Sequence, residues 1–161
     1  MAKMVKVGMA DLNICHSPDA ITTLGLGSCV GVALYDKNTK TAGLEHVMLP
    51  DSTKVRQNQN RAKFADTGID YLIELLEKEG AKKSSLTAKI AGGAQMFAFS
   101  SSNDMLRVGE RNVEAVKDKL KKLGIRILAE DTGLNYGRTV EFYPETGDFI
   151  IKSVGKLVKT I

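Results

Sequence analysis

Two cysteines, Cys15 and Cys29, and two histidines, His16 and His46, are the side chains of this sequence best suited to nucleophilic and general-base chemistry. A thiol reacts as its thiolate, and a neighbouring imidazole or a ring of turn amides favours that form. Cys29 follows Gly25-Leu26-Gly27-Ser28 and precedes an apolar run at residues 30–35, so a glycine-broken turn carries the thiol. Cys15 and His16 are adjacent, and adjacent side chains of a strand leave on opposite faces, so these two do not readily pair. Neither residue type falls at a Cys-x-x-Cys or His-x-x-x-His spacing, which argues against zinc; no metal or cofactor is expected. The glycines before Cys29 do not make a dinucleotide loop either. The position for the sixth-place glycine is Val30, a strand follows where a helix is needed, and no Gly-Lys-Ser/Thr is present.

The elements that must position Cys29 and His46 form a hairpin. Residues 30–35 read as a strand, Asp36-Lys37-Asn38-Thr39-Lys40 as a turn, and residues 41–49 as a second strand ended by Pro50. A turn centred between Asn38 and Thr39 sets Cys29 opposite Met48 and Gly31 opposite His46. Because side chains alternate with period two, His46 then shares a face with Cys29 as its diagonal neighbour, about 7–8 Å away at the backbone. On these residues alone, Cys29 reads either as a catalytic thiol or as a small buried hydrophobe in a tight turn. His46 reads either as its base or as a sheet histidine with a satisfied ring.

With 161 residues, 43% of them hydrophobic, the chain is long enough for one domain over 1–161 with a core that needs no disulfide or metal. The first ten residues are too interrupted by lysine for a signal peptide, and no stretch approaches the ~20 apolar residues of a membrane span, so a cytoplasmic protein with free thiols is expected. A net charge of +4, from 23 basic and 19 acidic side chains, favours acidic partners without specifying nucleic acid. The basic run at residues 117–122 sits at helical spacing and reads as a solvated face.

Elsewhere, residues 3–12 alternate loosely as one strand, Ser17-Pro18-Asp19 signals a turn, and residues 20–24 form a short β-branched strand. The polar stretch 51–61 has nothing to bury and reads as a mobile loop beside the site. Helical periodicity covers Phe64 to Leu76 up to Gly80, and again residues 110–123 up to Gly124. Strands are expected at 86–91, 125–129, 139–143 and 149–154, and Met96-Phe97-Ala98-Phe99 is an apolar patch. Strands come first and helices are interspersed, which gives an α+β fold, a layered sandwich of mostly antiparallel or mixed sheet with flanking helices. Gly92 and Gly93 read as a close approach of two backbones.

Four blocks carry a resemblance: Thr23-Leu24-Gly25-Leu26-Gly27-Ser28-Cys29-Val30, His46-Val47-Met48-Leu49-Pro50-Asp51-Ser52, Lys89-Ile90-Ala91-Gly92-Gly93-Ala94 and Arg111-Asn112-Val113-Glu114-Ala115-Val116. Together they resemble the CheD family of chemoreceptor glutamine deamidases over nearly the whole chain. The resemblance implies a cysteine hydrolase with Cys29 as nucleophile, His46 as general base and acid, and Thr23 orienting the histidine. It also implies a fold similar to the catalytic domains of deamidating bacterial toxins, receptor glutamines as substrates, and the CheC phosphatase as a partner. The chain itself is expected to be a monomer when alone. Turn amides around Gly27, Ser28 and Cys29 are the natural donors for an oxyanion. One departure is visible, since the family usually shows paired glycines where this chain has Gly133-Leu134. Two other functions fit the same residues: a cysteine hydrolase or esterase of different specificity, and a non-catalytic chemotaxis adaptor that binds CheC.

Overall fold

A computed structural model describes residues 2–96 and 107–161. Five strands open the chain: β1 (Met4–Val7), β2 (Leu12–His16), β3 (Ala20–Leu26), β4 (Val30–Asp36) and β5 (Thr41–Val47). Then come α1 (Ala65–Lys78), β6 (Leu86–Gly92), α2 (Val108–Leu123), β7 (Arg126–Thr132), β8 (Arg138–Tyr143), β9 (Asp148–Lys152) and β10 (Lys159–Thr160). The strands make two five-stranded sheets, ordered β1-β3-β8-β9-β10 and β2-β5-β4-β6-β7. β1 runs parallel to β3 and β6 to β7, and the remaining pairs are antiparallel. The α+β class expected from the sequence is therefore the one observed.

Two cores separate three layers. Ile21, Leu26, Val140, Phe142, Phe149 and Ile151 of the first sheet meet Ala33, Ala42, Leu44 and Ala91 of the second. On its other side the second sheet packs Val30, Val32, Leu34 and Val47 against the helices. Those helices cover it because each is amphipathic: Ile69, Leu72, Ile73 and Leu76 of α1 recur at helical spacing and are buried, as are Val116 and Leu120 of α2. Each such side chain contributes roughly 1.5–3 kcal/mol by leaving water.

The β4–β5 hairpin sits at the centre of the second sheet and is covered on both faces. Its register pairs Val30 with Val47 and Gly31 with His46, as a turn centred between Asn38 and Thr39 requires. Val30, Val32 and Leu34 point to the helices, and Cys29 and Ala33 point to the first sheet.

Two expectations need correction, and a third lies mostly outside the described residues. Residues 3–12 are not one strand: β1 ends at Val7, Ala10 adopts φ 58°, and β2 then joins the other sheet. The polar stretch 51–61 has ordered ends, because the Asp51 and Asn60 side chains cap 3-10 turns at Ser52–Lys54 and Arg61–Lys63. Asp66, in the first turn of α1, accepts from both the N–H and the hydroxyl of the buried Ser52. Of the apolar patch only Met96 lies among the described residues, and Phe97, Ala98 and Phe99 lie outside them.

Candidate active site

The site lies between the two sheets, where β3 of one faces the end of the β4–β5 hairpin of the other. Thr23 is placed by β3, which pairs on one side with β1 (Val7 beside Thr23) and on the other with β8 (Val140 beside Thr23). His46 is placed by β5, and its side chain crosses the inter-sheet core. The two meet at 2.7 Å between Thr23 Oγ1 and His46 Nδ1, and Thr23 Oγ1 also lies 2.8 Å from the Val7 carbonyl oxygen.

Counting hydrogens fixes the imidazole. A carbonyl only accepts, so the single hydroxyl hydrogen of Thr23 goes to Val7. The bond to His46 then needs a hydrogen on Nδ1, which leaves the lone pair of the neutral ring on Nε2. Nε2 is buried and has no partner among the described residues. Burial also holds the His46 pKa below its ordinary value, so the ring rests as the neutral base.

Cys29 is 9% exposed and lies in the same inter-sheet core, on the face of the hairpin that carries His46. Burial pushes its thiol pKa up. The His46 imidazole is pushed the other way, so burial favours the uncharged form of each group.

Three consecutive carbonyls of the turn are held. Gly27 O accepts from Ala94 N at 2.9 Å and Cys29 O from Gly93 N at 2.8 Å, while the Asn112 side-chain amide donates to Ser28 O at 3.0 Å. Among the described residues the N–H groups of Ser28 and Cys29 donate to no backbone carbonyl. Gly92 has φ 106°, and a Cβ there would stand 2.3 Å from Cys29 O, so the close approach of two backbones expected at Gly92-Gly93 is what the fold uses. Behind this turn the buried Arg138 guanidinium bonds Asp131 Oδ2 and Gly133 O, each at 3.0 Å. Leu134, where the family usually has a second glycine, takes the left-handed φ of 61° that glycine favours.

Sequence reasoning passed over Asn112 as a residue with a function of its own. The signal was its spacing: 112, 116 and 120 repeat every four residues on the buried face of α2, and an amide at a core position needs partners. The other thiol and imidazole lie away from this site. Cys15 is buried with its pKa pushed up to about 12 by burial and by Asp19, and His16 is on the outer face of β2. Among the described residues no three His, Cys, Asp or Glu side chains are grouped to hold a metal ion.

The sequence matches the family described as CheD chemotactic sensory transduction over residues 48–153. Full-length relatives extend the similarity across Thr23, Cys29 and His46. "Probable chemoreceptor glutamine deamidase CheD" of Lachnoclostridium phytofermentans is 69% identical over 161 residues, covering 100% of both chains. "Chemoreceptor glutamine deamidase CheD" of Halalkalibacterium halodurans is 58% identical over 162 residues, also 100% of both. A third, from Caldanaerobacter subterraneus subsp. tengcongensis, is 56% identical over 160 residues and 99% of each chain. Similarity of this degree along the whole length means that the chain belongs to the CheD family.

Proposed function

We propose that this protein is an enzyme that deamidates chemoreceptor glutamines, with Cys29 as nucleophile, His46 as general base and acid, and Thr23 orienting His46. The observation that carries this reading is the Thr23–His46 contact at 2.7 Å, which leaves Nε2 as a buried base, without a partner among the described residues, on the face of Cys29. As Cys29 Sγ attacks the glutamine side-chain carbonyl carbon, its proton passes to His46 Nε2. The tetrahedral oxyanion is met by the amides of Ser28 and Cys29, with Gly27 setting the turn. Collapse breaks the C–N bond, and the imidazolium returns its proton to the departing ammonia. Water, deprotonated by the same nitrogen, then hydrolyses the thioester to glutamate and free thiol.

The rim supports a folded protein substrate. Leu24 is 64% and Met96 46% exposed; Leu24 follows Thr23 directly, and the Met96 side chain packs against Gly27. Exposed apolar side chains beside a buried thiol suit a protein surface better than a free polar amino acid. On the strength of the resemblance, the CheC phosphatase competes for this rim. No helix among the described residues is long and apolar enough to cross a membrane.

Intact-mass measurement of a receptor cytoplasmic fragment tests the reading, since conversion of amide to acid raises the fragment's mass and binding alone does not. Turnover with ammonia release is the expected result. Binding without any mass change would favour an adaptor and overturn the proposal.

A further inference from the structure

We propose that Asn112 of α2 is a positioning residue that sets the separation of the Cys29 thiol and the His46 imidazole, an inference resting on the reading of Cys29 as nucleophile. The β4–β5 ladder ends at the pair Val30 and Val47. Beyond it the two strands find other partners: Met48 N and Leu49 N donate to Lys63 O, and Gly27 O and Cys29 O accept from Ala94 and Gly93. Beyond that pair, no backbone hydrogen bond among the described residues joins residues 27–29 to residues 48–49. The Asn112 side chain does. Its amide nitrogen donates one hydrogen to Ser28 O and one to Met48 O, each at 3.0 Å. Ser28 immediately precedes Cys29, and Met48 stands two residues after His46.

The orientation of this side chain is determined by its partners. An amide turned over would set Oδ1 against two carbonyl oxygens, so the NH2 group must face them. The residue is fully buried, and Oδ1 has no partner among the described residues. Packing alone would be better served here by an apolar side chain, since a buried, unmatched acceptor is unfavourable. The neighbouring turn of α2 is pressed on the same structure: a Cβ on Gly109 would lie 2.6 Å from Gly93 O and 2.4 Å from Ala94 O. Helix α2 therefore meets the turn through Asn112 and the 93–94 segment that holds the turn through Gly109, and the Asn112 side chain joins Ser28 O to Met48 O just past the end of β5.

A reacting atom misplaced by about 1 Å costs on the order of a hundredfold in rate. Removing the bridge is thus expected to act on kcat and not on recognition. Two variants test it in a Cys15→Ala background. Asn112→Leu keeps the volume and discards the unmatched oxygen, and Asn112→Asp keeps the shape but turns a donor into an acceptor. Turnover on the receptor fragment is normalised to the folded fraction seen by circular dichroism, and Cys29 alkylation is followed against pH. Asn112→Leu is expected to lower kcat roughly 10- to 100-fold with KM within about twofold, and Asn112→Asp at least as much. In both, the alkylation profile moves to higher pH as the thiol loses access to its base. Unchanged kcat per folded molecule and an unchanged profile in Asn112→Leu, with Cys29→Ala inactive, would overturn this inference alone. Full activity in Cys29→Ala would instead remove the reading beneath it.

Discussion

Among the described residues there are two threonine–histidine contacts, near opposite ends of β5, and only one lies on the face that carries Cys29. At one end, Thr23 donates to Val7 O and accepts from His46 Nδ1. At the other, Thr41 Oγ1 lies 3.3 Å from Thr39 O and 3.1 Å from His16 Nδ1, nearly the same local pattern. The difference is in the second ring nitrogen. His16 Nε2 is bound to Glu79 Oε2 at 3.2 Å, on a surface where the histidine side chain is 46% exposed. His46 Nε2 is buried and has no partner among the described residues. The thiols differ in the same sense: Cys15 is next to His16 in sequence but on the opposite face of β2, whereas Cys29 shares its face with His46. A hydroxyl that fixes a tautomer is therefore insufficient. The proposed mechanism also needs the lone pair on Nε2 and a thiol placed on the same side of the sheet.

The largest effects should separate these two ends. Cys29→Ala is expected to abolish ammonia release, and Cys15→Ala to leave most of it. His46→Ala should cost roughly 10²–10⁴-fold in turnover, the usual contribution of a positioned general base, while His16→Ala leaves turnover near wild type. Cys29 alkylation at neutral pH should slow in His46→Ala and not in His16→Ala. Equal losses at both ends would show that the free nitrogen and the shared face do not determine reactivity.

The hairpin was legible in the sequence because a strand–turn–strand pattern with a defined turn centre fixes register, and register fixes faces. Strand parity alone therefore assigns Cys29 and His46 to one side of the sheet. The partners of Thr23 were not legible in this way. That Val7 would accept from Thr23 depends on β1 pairing parallel to β3 in one sheet while β2 joins the other, and the alternation of residues 3–12 carries no information about sheet membership. Thr23 entered through resemblance alone. The ordered turns in 51–61 were missed because capping by Asp51, Asn60 and Asp66 is local polar chemistry, which a search for buried apolar residues passes over. At two residues, β10 is too short for any period to show.

An intermediate effect is expected from Thr23→Val, which keeps the shape and removes the hydroxyl. His46 Nδ1–H would lose its acceptor in a buried site, at a cost of roughly 1–3 kcal/mol, and the ring would be free to carry its hydrogen on Nε2 instead. Turnover should fall about 5- to 150-fold, on that basis, and less than for His46→Ala. Thr41→Val, the same change at the other end, should leave turnover unaltered. If Thr23→Val matched wild type in kcat, the hydrogen count that places the lone pair on Nε2 would lose its functional meaning.

The smallest effect separates the two faces of β5 rather than its two ends. Glu45 precedes His46 and points the other way, into the core beneath α1, where a Cβ on Gly68 would lie 1.8 Å from its carboxylate oxygen. Neither carboxylate oxygen has a partner among the described residues, and burial, reinforced by Asp66, holds the pKa well above the ordinary carboxyl value. The sign follows from proton counting: between the ordinary value and the raised one, the folded chain keeps a proton that the unfolded chain has released. Stability therefore falls as pH rises through that window. Glu45→Gln removes the titration while keeping the side chain's size. Its melting temperature should lie near that of wild type at about pH 5 and exceed it increasingly toward about pH 8, by roughly 2–4 °C for each kcal/mol of linkage. The pH dependence of Cys29 alkylation, which belongs to the opposite face, should not move. Parallel melting curves across that range would mean that Glu45 does not carry the linkage. A shifted alkylation profile would mean that the two faces of the strand are coupled, and the free nitrogen of His46 could no longer be treated as set by Thr23 alone.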